Sequence, residues 1–436
     1  MIIRRAAIAP FQQQWLRMQF SRFGEKFSTP SGILTLMEDI SAALAGDPNI
    51  LMLGGGNPAS IAPVNAKFRA ALARLAEDST LFSQTLGAYD GPTGHAKLKS
   101  QLAEFFASQC RWPVSEANIA ITNGSQNAFF TIFNMLAGRQ SDGGFKRIVL
   151  PLAPEYIGYE AQSIDEPFFV SRRPRIDQLD ARQFKYRVDF DGFELPDDAA
   201  AICVSRPTNP SGNVLTDGEI EQLAQIAASA EIPLIIDNAY GAPFPNIIHA
   251  DVKPGWNDNT IMCLSLSKIG LPACRTGIVV AHPQIIDAIG SINAITNLAP
   301  GSIGAALALD LLQNDELIQM CHSDIRPFYA AMAERAVNWF NEAMGDSPGL
   351  AHKPEGAFFL WLWFPELPIN SQQLYERLKA RGVIIVPGHH FFPGLGDTDW
   401  PHRHECIRVS YAQPEAHVQR GMQIIAQEVK RAYSGD

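Results

Sequence analysis

The sequence predicts an α/β protein: a large domain on a mostly parallel seven-stranded sheet sandwiched by helices, with a smaller α+β domain beside it. Three observations lead there. The middle of the chain alternates short apolar runs with helical patterns. Those runs lack polar–apolar alternation, which implies strands covered on both faces and largely parallel. The C-terminal stretch has fewer, more mixed elements, as a small separate layer would.

Six strands of the large sheet are legible as apolar runs, in order Asn118–Thr122, Arg147–Pro151, Ala200–Ser205, Pro233–Asp237, Thr260–Leu266 and Gly277–Ala281. Helices Ser125–Leu136 and Asp217–Ala230 fall between them, the second opened by Thr216 and Glu219 at capping-box spacing. Further on, Gly356–Phe364 reads as a long aromatic strand and Ser371–Arg381 as a helix stopped by Gly382. Val383–Val386 and Cys406–Tyr411 read as short strands, and Pro414 opens a final helix.

Gly54–Pro58 has the look of a loop joining the two units. The expected division is 61–320 for the large domain and 321–436 for the small one. An N-terminal arm at 18–60 is expected to pack with the small domain. Residues 1–17 are expected to be a disordered extension or a misassigned start ahead of Met18.

The 436 residues are 46 % hydrophobic and 18 % charged, with a formal net charge of −10. A chain of this length buries a large core without metals or disulfides. The acidic balance and the absence of a basic block argue against nucleic acid or an anionic membrane as partner. The six cysteines (Cys110, Cys203, Cys263, Cys274, Cys321, Cys406) form no CxxC pair, so free thiols in a reducing compartment are expected. The first residues lack an apolar core and cleavage site for a signal peptide. No apolar stretch reaches the ~18–20 residues that cross a bilayer. A cytoplasmic location is the resulting expectation.

Four segments close strands, where parallel sheets gather their chemistry. These are TNGSQNA (122–128), SRPTNPSGN (205–213), IIDNAY (235–240) and SLSK (265–268). Lys268 follows a buried strand although an ammonium resists desolvation. Taken alone, SLSK is an ordinary strand end. Asp237 closes PLIID and needs a cation or several donors, which a pyridinium nitrogen, an arginine or a helix N-terminus could supply. Gly124-Ser125 opens a helix and could seat a phosphate or serve as a plain cap. Together, a lysine for a Schiff base, a carboxylate for a ring nitrogen and a phosphate seat make a complete set for pyridoxal 5'-phosphate.

The order Asn209-Pro210, Asp237-x-x-Tyr240, Ser265-x-Ser267-Lys268, Arg275, Arg408 resembles the class I aminotransferases of fold type I, over roughly residues 50 to 430. The stretches LMLGGGNPA, YDGPTG, PLAPEYIGY, KPEGAFFLWLWF and VPGHHFFPGL resemble a branch acting on small aliphatic amino acids.

The resemblance implies that Lys268 carries the cofactor covalently and moves the substrate proton. It implies that Asp237 holds the ring nitrogen protonated, that Asn209 and Tyr240 bond the ring 3′ oxygen, and that Tyr156 stacks on the ring. Gly124, Ser125, Gln126, Ser265, Ser267 and Arg275 would surround the phosphate. Tyr89 would reach the phosphate of a neighbouring subunit, which implies a homodimer with shared sites. Arg408 would grip the substrate carboxylate, near Gly56, Asn57 and Asn209. Arg275 stands seven residues after Lys268 where the broad family has eight, so its loop must be tighter.

Tyr156, Phe358 and Phe359 suggest a pocket for valine, alanine or 2-aminobutyrate, and the expected reaction is amino transfer from L-valine to pyruvate. Another aminotransferase of broader range or a pyridoxal-phosphate β-lyase would share every residue named. A regulator on an aminotransferase-like domain would need a basic winged-helix segment of some 60–70 residues ahead of it, on the scale of a small domain.

Gly54–Ala59 formally satisfies G-x-G-x-x-A, but Pro58 opposes the helix that a dinucleotide site requires. His389, His390, His402 and His404 crowd one region without the spacing of a closed zinc site, so hydrogen-bonded or solvated histidines are expected there.

Overall fold

A computed structural model describes residues 19–29, 50–396 and 399–435. The expectations for residues 1–17 and for most of the N-terminal arm lie outside those residues.

The large sheet follows the predicted runs closely. Side by side lie Ile119–Thr122, Gly277–Val280, Thr260–Ser265, Leu234–Asp237, Ala199–Ser205, Phe145–Leu150 and Phe169–Ser171. Only Gly277–Val280 runs against its neighbours. A two-residue strand, Gly138–Arg139, adds an antiparallel eighth member beside Phe145–Leu150.

Both faces of the sheet are buried, which explains the unbroken apolar runs. Ile235, Cys203, Ile261, Cys263 and Val279 face one cluster, with Phe129 and Phe133 of the helix Ser125–Leu136. Ile202, Val204, Leu234, Ile236, Met262 and Leu264 point to the opposite, larger cluster. Alternate residues of each strand thus feed two different cores.

The helix Asp217–Ser229 begins with the predicted box: Thr216 Oγ1 accepts from Glu219 N at 3.2 Å, and Glu219 Oε2 accepts from Thr216 N at 2.8 Å.

A second, six-stranded sheet carries the C-terminal part, in the order Val386–Pro387, Cys406–Ser410, Phe359–Trp363, Leu350–His352, Gln183–Arg187, Arg175–Gln178. Its last two strands come from the middle of the chain, inside the stretch expected for the large domain. Their polar composition (RIDQ, QFKYR) hides them from an apolar-run reading. They are strands because Gln183 and Phe184 pair in parallel with Ala351 and His352. Lys185 anchors this junction, forming a buried ion pair with Glu355 and donating to Val214 O at 3.0 Å. Leu51–Met52 pairs in parallel with Val383–Ile384, which ties the segment after the N-terminal arm to the C-terminal part. Among the described residues no helix is long and apolar enough to cross a membrane.

Candidate active site

The register of the large sheet sets the site. Ser205 pairs with Asp237, Asp237 with Cys263, Ser265 with Gly277, and Gly277 with Thr122, so the carboxyl ends line up in one row. Above that row lies a cavity of about 120 Å³. It is lined by ten of the expected residues: Ser125, Gln126, Tyr156, Asn209, Asp237, Tyr240, Ser265, Ser267, Lys268 and Arg275.

Lys268 sits in a 3-10 turn, Leu266–Ile269, started by Ser265, whose Oγ accepts from Ser267 N at 3.1 Å. Its Nζ donates to Gly56 O at 2.9 Å and lies 5.3 Å and 5.6 Å from the ring centroids of Tyr240 and Phe358. Burial, with the positive charges of Arg408 and Arg275, lowers its pKa to about 8 despite the opposing pull of Asp237. Asp237 is buried and accepts from Tyr159 Oη at 2.8 Å and Ala239 N at 3.0 Å. Burial raises its carboxyl to about 6, with those two donors opposing.

The tight loop does deliver Arg275. Two 3-10 turns, Leu266–Ile269 and Pro272–Cys274, end at Arg275 in the left-handed region, φ 46°. Its Nη1 donates to Pro272 O at 3.2 Å and approaches Ser267 Oγ at 3.4 Å. Its Nη2 lies where a Cβ on Gly124 would be, at 2.3 Å. Gly124 has φ +87° and caps the helix Ser125–Leu136. Glycine is needed there twice over, for the backbone angle and for the guanidinium against it. Arginine and free helix N–H groups therefore converge on one point, a ready anion seat.

Arg408 is buried on Cys406–Ser410, opposite Trp361. It donates to Asn209 Oδ1 at 2.8 Å and to Gly54 O at 2.7 Å, and its guanidinium carbon lies 4.2 Å from the Phe359 ring centroid. Its Nε is buried with no hydrogen-bond partner among the described residues. The glycine-rich loop thus presents carbonyls to both cations, Gly54 to Arg408 and Gly56 to Lys268. The first helix after it begins at Ala62, so the loop opens no helix of its own.

Asn57 is exposed and does not line the cavity. Tyr89 is 84 % exposed and borders a different hollow, beside Asp90 and Ser302. Gln126 lines the cavity and donates to Gly158 O at 3.3 Å. Of the histidines, His402 is buried against Tyr186 and Cys406, and His389 Nδ1 lies 3.0 Å from Ser371 Oγ. No group of metal-ligating residues occurs among the described residues.

Residues 49–425 match the family described as aminotransferase class I and II. The chain belongs to that family. It is a pyridoxal-phosphate-dependent aminotransferase. It is 47 % identical to the valine–pyruvate aminotransferase of Escherichia coli (strain K12), over 96 % of this chain and 99 % of that one. The solved valine–pyruvate aminotransferase of Salmonella typhimurium LT2 superimposes with a TM-score of 0.85, at 44 % identity, covering 93 % of this chain and all of that one (100 %). Aspartate aminotransferase from Thermus thermophilus shares the fold, with a TM-score of 0.74 at 19 % identity.

The side chains of the aminotransferase suit the cofactor. Asp237 is a buried carboxylate whose hydrogen-bond partners are neutral, a good match for a protonated ring nitrogen. Lys268 faces the same space with a lowered pKa, and Arg275 with the Gly124 helix end suits a phosphate.

Sequence reasoning missed the groups behind Asp237. Tyr159, Ser205 and Glu155 are all buried, and Ser205 with Phe129, Pro207 and Ala239 completes the lining. The available signal was the pair of tyrosines in PLAPEYIGY, Tyr156 and Tyr159. Their rings meet edge to face at 5.4 Å, so one borders the cavity while the other supports Asp237.

Proposed function

We propose that this aminotransferase moves the amino group of L-valine to pyruvate, giving 3-methyl-2-oxobutanoate and L-alanine. The observation that carries the reading is Lys268 and Asp237 lining one cavity with Arg275, which lies against the Gly124 helix end, while Arg408 bonds the lining residue Asn209. The near full-length likeness to valine–pyruvate aminotransferases supports the substrate pair.

Bound there, pyridoxal phosphate supplies an electron sink for the charge left when the substrate loses its Cα proton. Asp237 holds the ring nitrogen in its charged form. Lys268 Nζ takes the proton from Cα and returns it one position away. A pKa near 8 suits that task, because amine and ammonium both exist near neutral pH. Arg408 binds the substrate carboxylate, its plane held by Asn209, Gly54 and the Phe359 ring. Asn209 and Tyr240 orient the ring edge, Tyr156 covers a ring face, and Ser125, Ser265, Ser267 and Arg275 hold the phosphate.

Phe358, Tyr240 and Tyr329 form an aromatic wall: Tyr329 stacks on Phe358 at 5.4 Å and Tyr240 meets Phe358 edge-on at 5.2 Å. Such a wall favours apolar side chains. One methylene is worth only about 1–3 kcal/mol there, so 2-aminobutyrate and alanine also react. The enzyme works as a cytoplasmic homodimer in which Tyr89, exposed here, reaches the partner's phosphate site.

Product analysis tests the reading. L-valine with pyruvate should yield L-alanine in equal amount to the new 2-oxo acid, without ammonia. Ammonia release from cysteine conjugates in place of amino transfer would indicate a β-lyase instead.

A further inference from the structure

The aminotransferase buries a second carboxyl, bonded to Ser205 of the cavity wall, that the reaction above does not use. Glu155 is wholly buried, 0 % exposed, and no cation pairs with it among the described residues. Its Oε1 accepts from Ser205 N at 2.8 Å, and its Oε2 lies 2.6 Å from Ser205 Oγ and 3.3 Å from Tyr156 N. Ser205 Oγ is 3.4 Å from Tyr159 Oη, which donates to Asp237 Oδ2 at 2.8 Å. Two carboxyls are therefore joined through two hydroxyls, Glu155–Ser205–Tyr159–Asp237, the middle contact being the longest.

A buried network of this kind holds one negative charge far more readily than two. The charged and titratable groups facing Glu155 are Asp237, Tyr159 and Cys203, none of them a cation. We propose that Glu155 is a positioning residue that stays protonated and donates through Ser205 and Tyr159 toward Asp237, so that the single negative charge rests on Asp237. The inference relies on the reading of Asp237 as partner of the ring nitrogen.

The hydrogen count favours this direction. With Glu155 protonated, its hydroxyl gives to Ser205 Oγ, the serine hydroxyl is free for Tyr159, and Tyr159 gives to Asp237. Every O–H then points at Asp237, while Oε1 still accepts from Ser205 N. With Glu155 ionised, the serine proton turns back to Glu155 and a second anion stands beside the first. Burial and the charge on Asp237 push the Glu155 carboxyl up to about 8 against the pull of its Ser205 and Tyr156 donors, which is consistent with that choice.

The test compares full-length wild type, Glu155→Gln, Glu155→Leu and Asp237→Asn. Glutamine keeps a donor for Ser205 Oγ and an acceptor for Ser205 N, so it binds pyridoxal phosphate like wild type at pH 7. Leucine loses both and binds about tenfold more weakly. As pH rises through about 8, the affinity of wild type for pyridoxal phosphate changes while Glu155→Gln lacks that part of the change. The infrared difference between wild type and Glu155→Gln in the cofactor-free protein at pH 7 shows a lost protonated-carboxyl band. Loss of carboxylate bands instead, weak binding by Glu155→Gln at pH 7, or superimposable pH curves would overturn the proposal. If the Asp237 reading is the part that fails, Asp237→Asn binds cofactor like wild type while the infrared band still reports Glu155 as protonated.

Discussion

Tyr159 donates to Asp237 at 2.8 Å, and the tyrosine is wholly buried beneath the carboxylate it serves. Among the described residues the bond supplies one of two donors to Asp237, the other being Ala239 N. Charge on Asp237 thus depends on a residue outside the cavity wall.

Tyr159→Phe removes that donor while keeping the ring. A hydrogen bond to a charged group contributes about 1.5–3 kcal/mol, so kcat/KM should fall roughly 10- to 150-fold with little change in fold. Steady-state kinetics on purified variant and wild type check this. An unchanged kcat/KM would mean the bond is incidental.

On the proposed reading Lys268 would hold the cofactor, and only its neutral amine could bond to it. Its pKa is lowered, so the ammonium dominates below about 8 and the amine above it. The rate at which cofactor-free protein takes up pyridoxal phosphate should rise with pH through that value and level off above it. Lys268→Ala should abolish stable uptake and lower turnover by at least about 10²–10⁴, the scale of a lost general base.

Arg408→Lys keeps a positive charge but loses the planar fork. Asn209 and Gly54 are then left without a matched donor pair. KM for both L-valine and pyruvate should rise by about 10- to 100-fold, as loss of a charge-assisted bidentate contact predicts. The spectrum of the bound cofactor should change little.

Gly124→Ala places a methyl where Arg275 Nη2 lies, at 2.3 Å, on a backbone with φ +87°. Both costs fall on the proposed phosphate seat. We expect a loss of about 1–3 kcal/mol in stability and looser cofactor, seen by thermal unfolding and by dialysis.

Glu355→Ala strands Lys185, whose ammonium is buried against Glu355 and Val214 O. Breaking one partner of a buried pair costs about 3–5 kcal/mol. Denaturant unfolding should show that loss, and Glu355→Gln should recover part of it.

Much of this architecture was legible before any coordinates. The ends of Ile119–Thr122, Leu234–Asp237 and Thr260–Ser265 fall within a residue or so of their apolar runs, because burial on both faces leaves a continuous signal. Lys268, Asp237 and Gly124 stood out as a set at strand ends, each alone having an ordinary reading, and the structure brings them to one end of the sheet. The strands Arg175–Gln178 and Gln183–Arg187 were not, since their partner lies far along the chain at Leu350–His352. Glu155 was equally hidden. Its meaning rests on Ser205 and Asp237, brought together only by the pairing of two strands. For Tyr89 the resemblance alone suggested a role, and in the single chain the residue is exposed and away from the cavity.

The most direct test is an absorbance scan of the purified protein, with L-valine and then pyruvate added, followed by borohydride trapping and peptide mapping. The account predicts a visible cofactor band that falls with valine, returns with pyruvate, and a trapped adduct on Lys268. A band that ignores valine would contradict the substrate assignment. No band after reconstitution and no adduct on Lys268 would contradict the site itself.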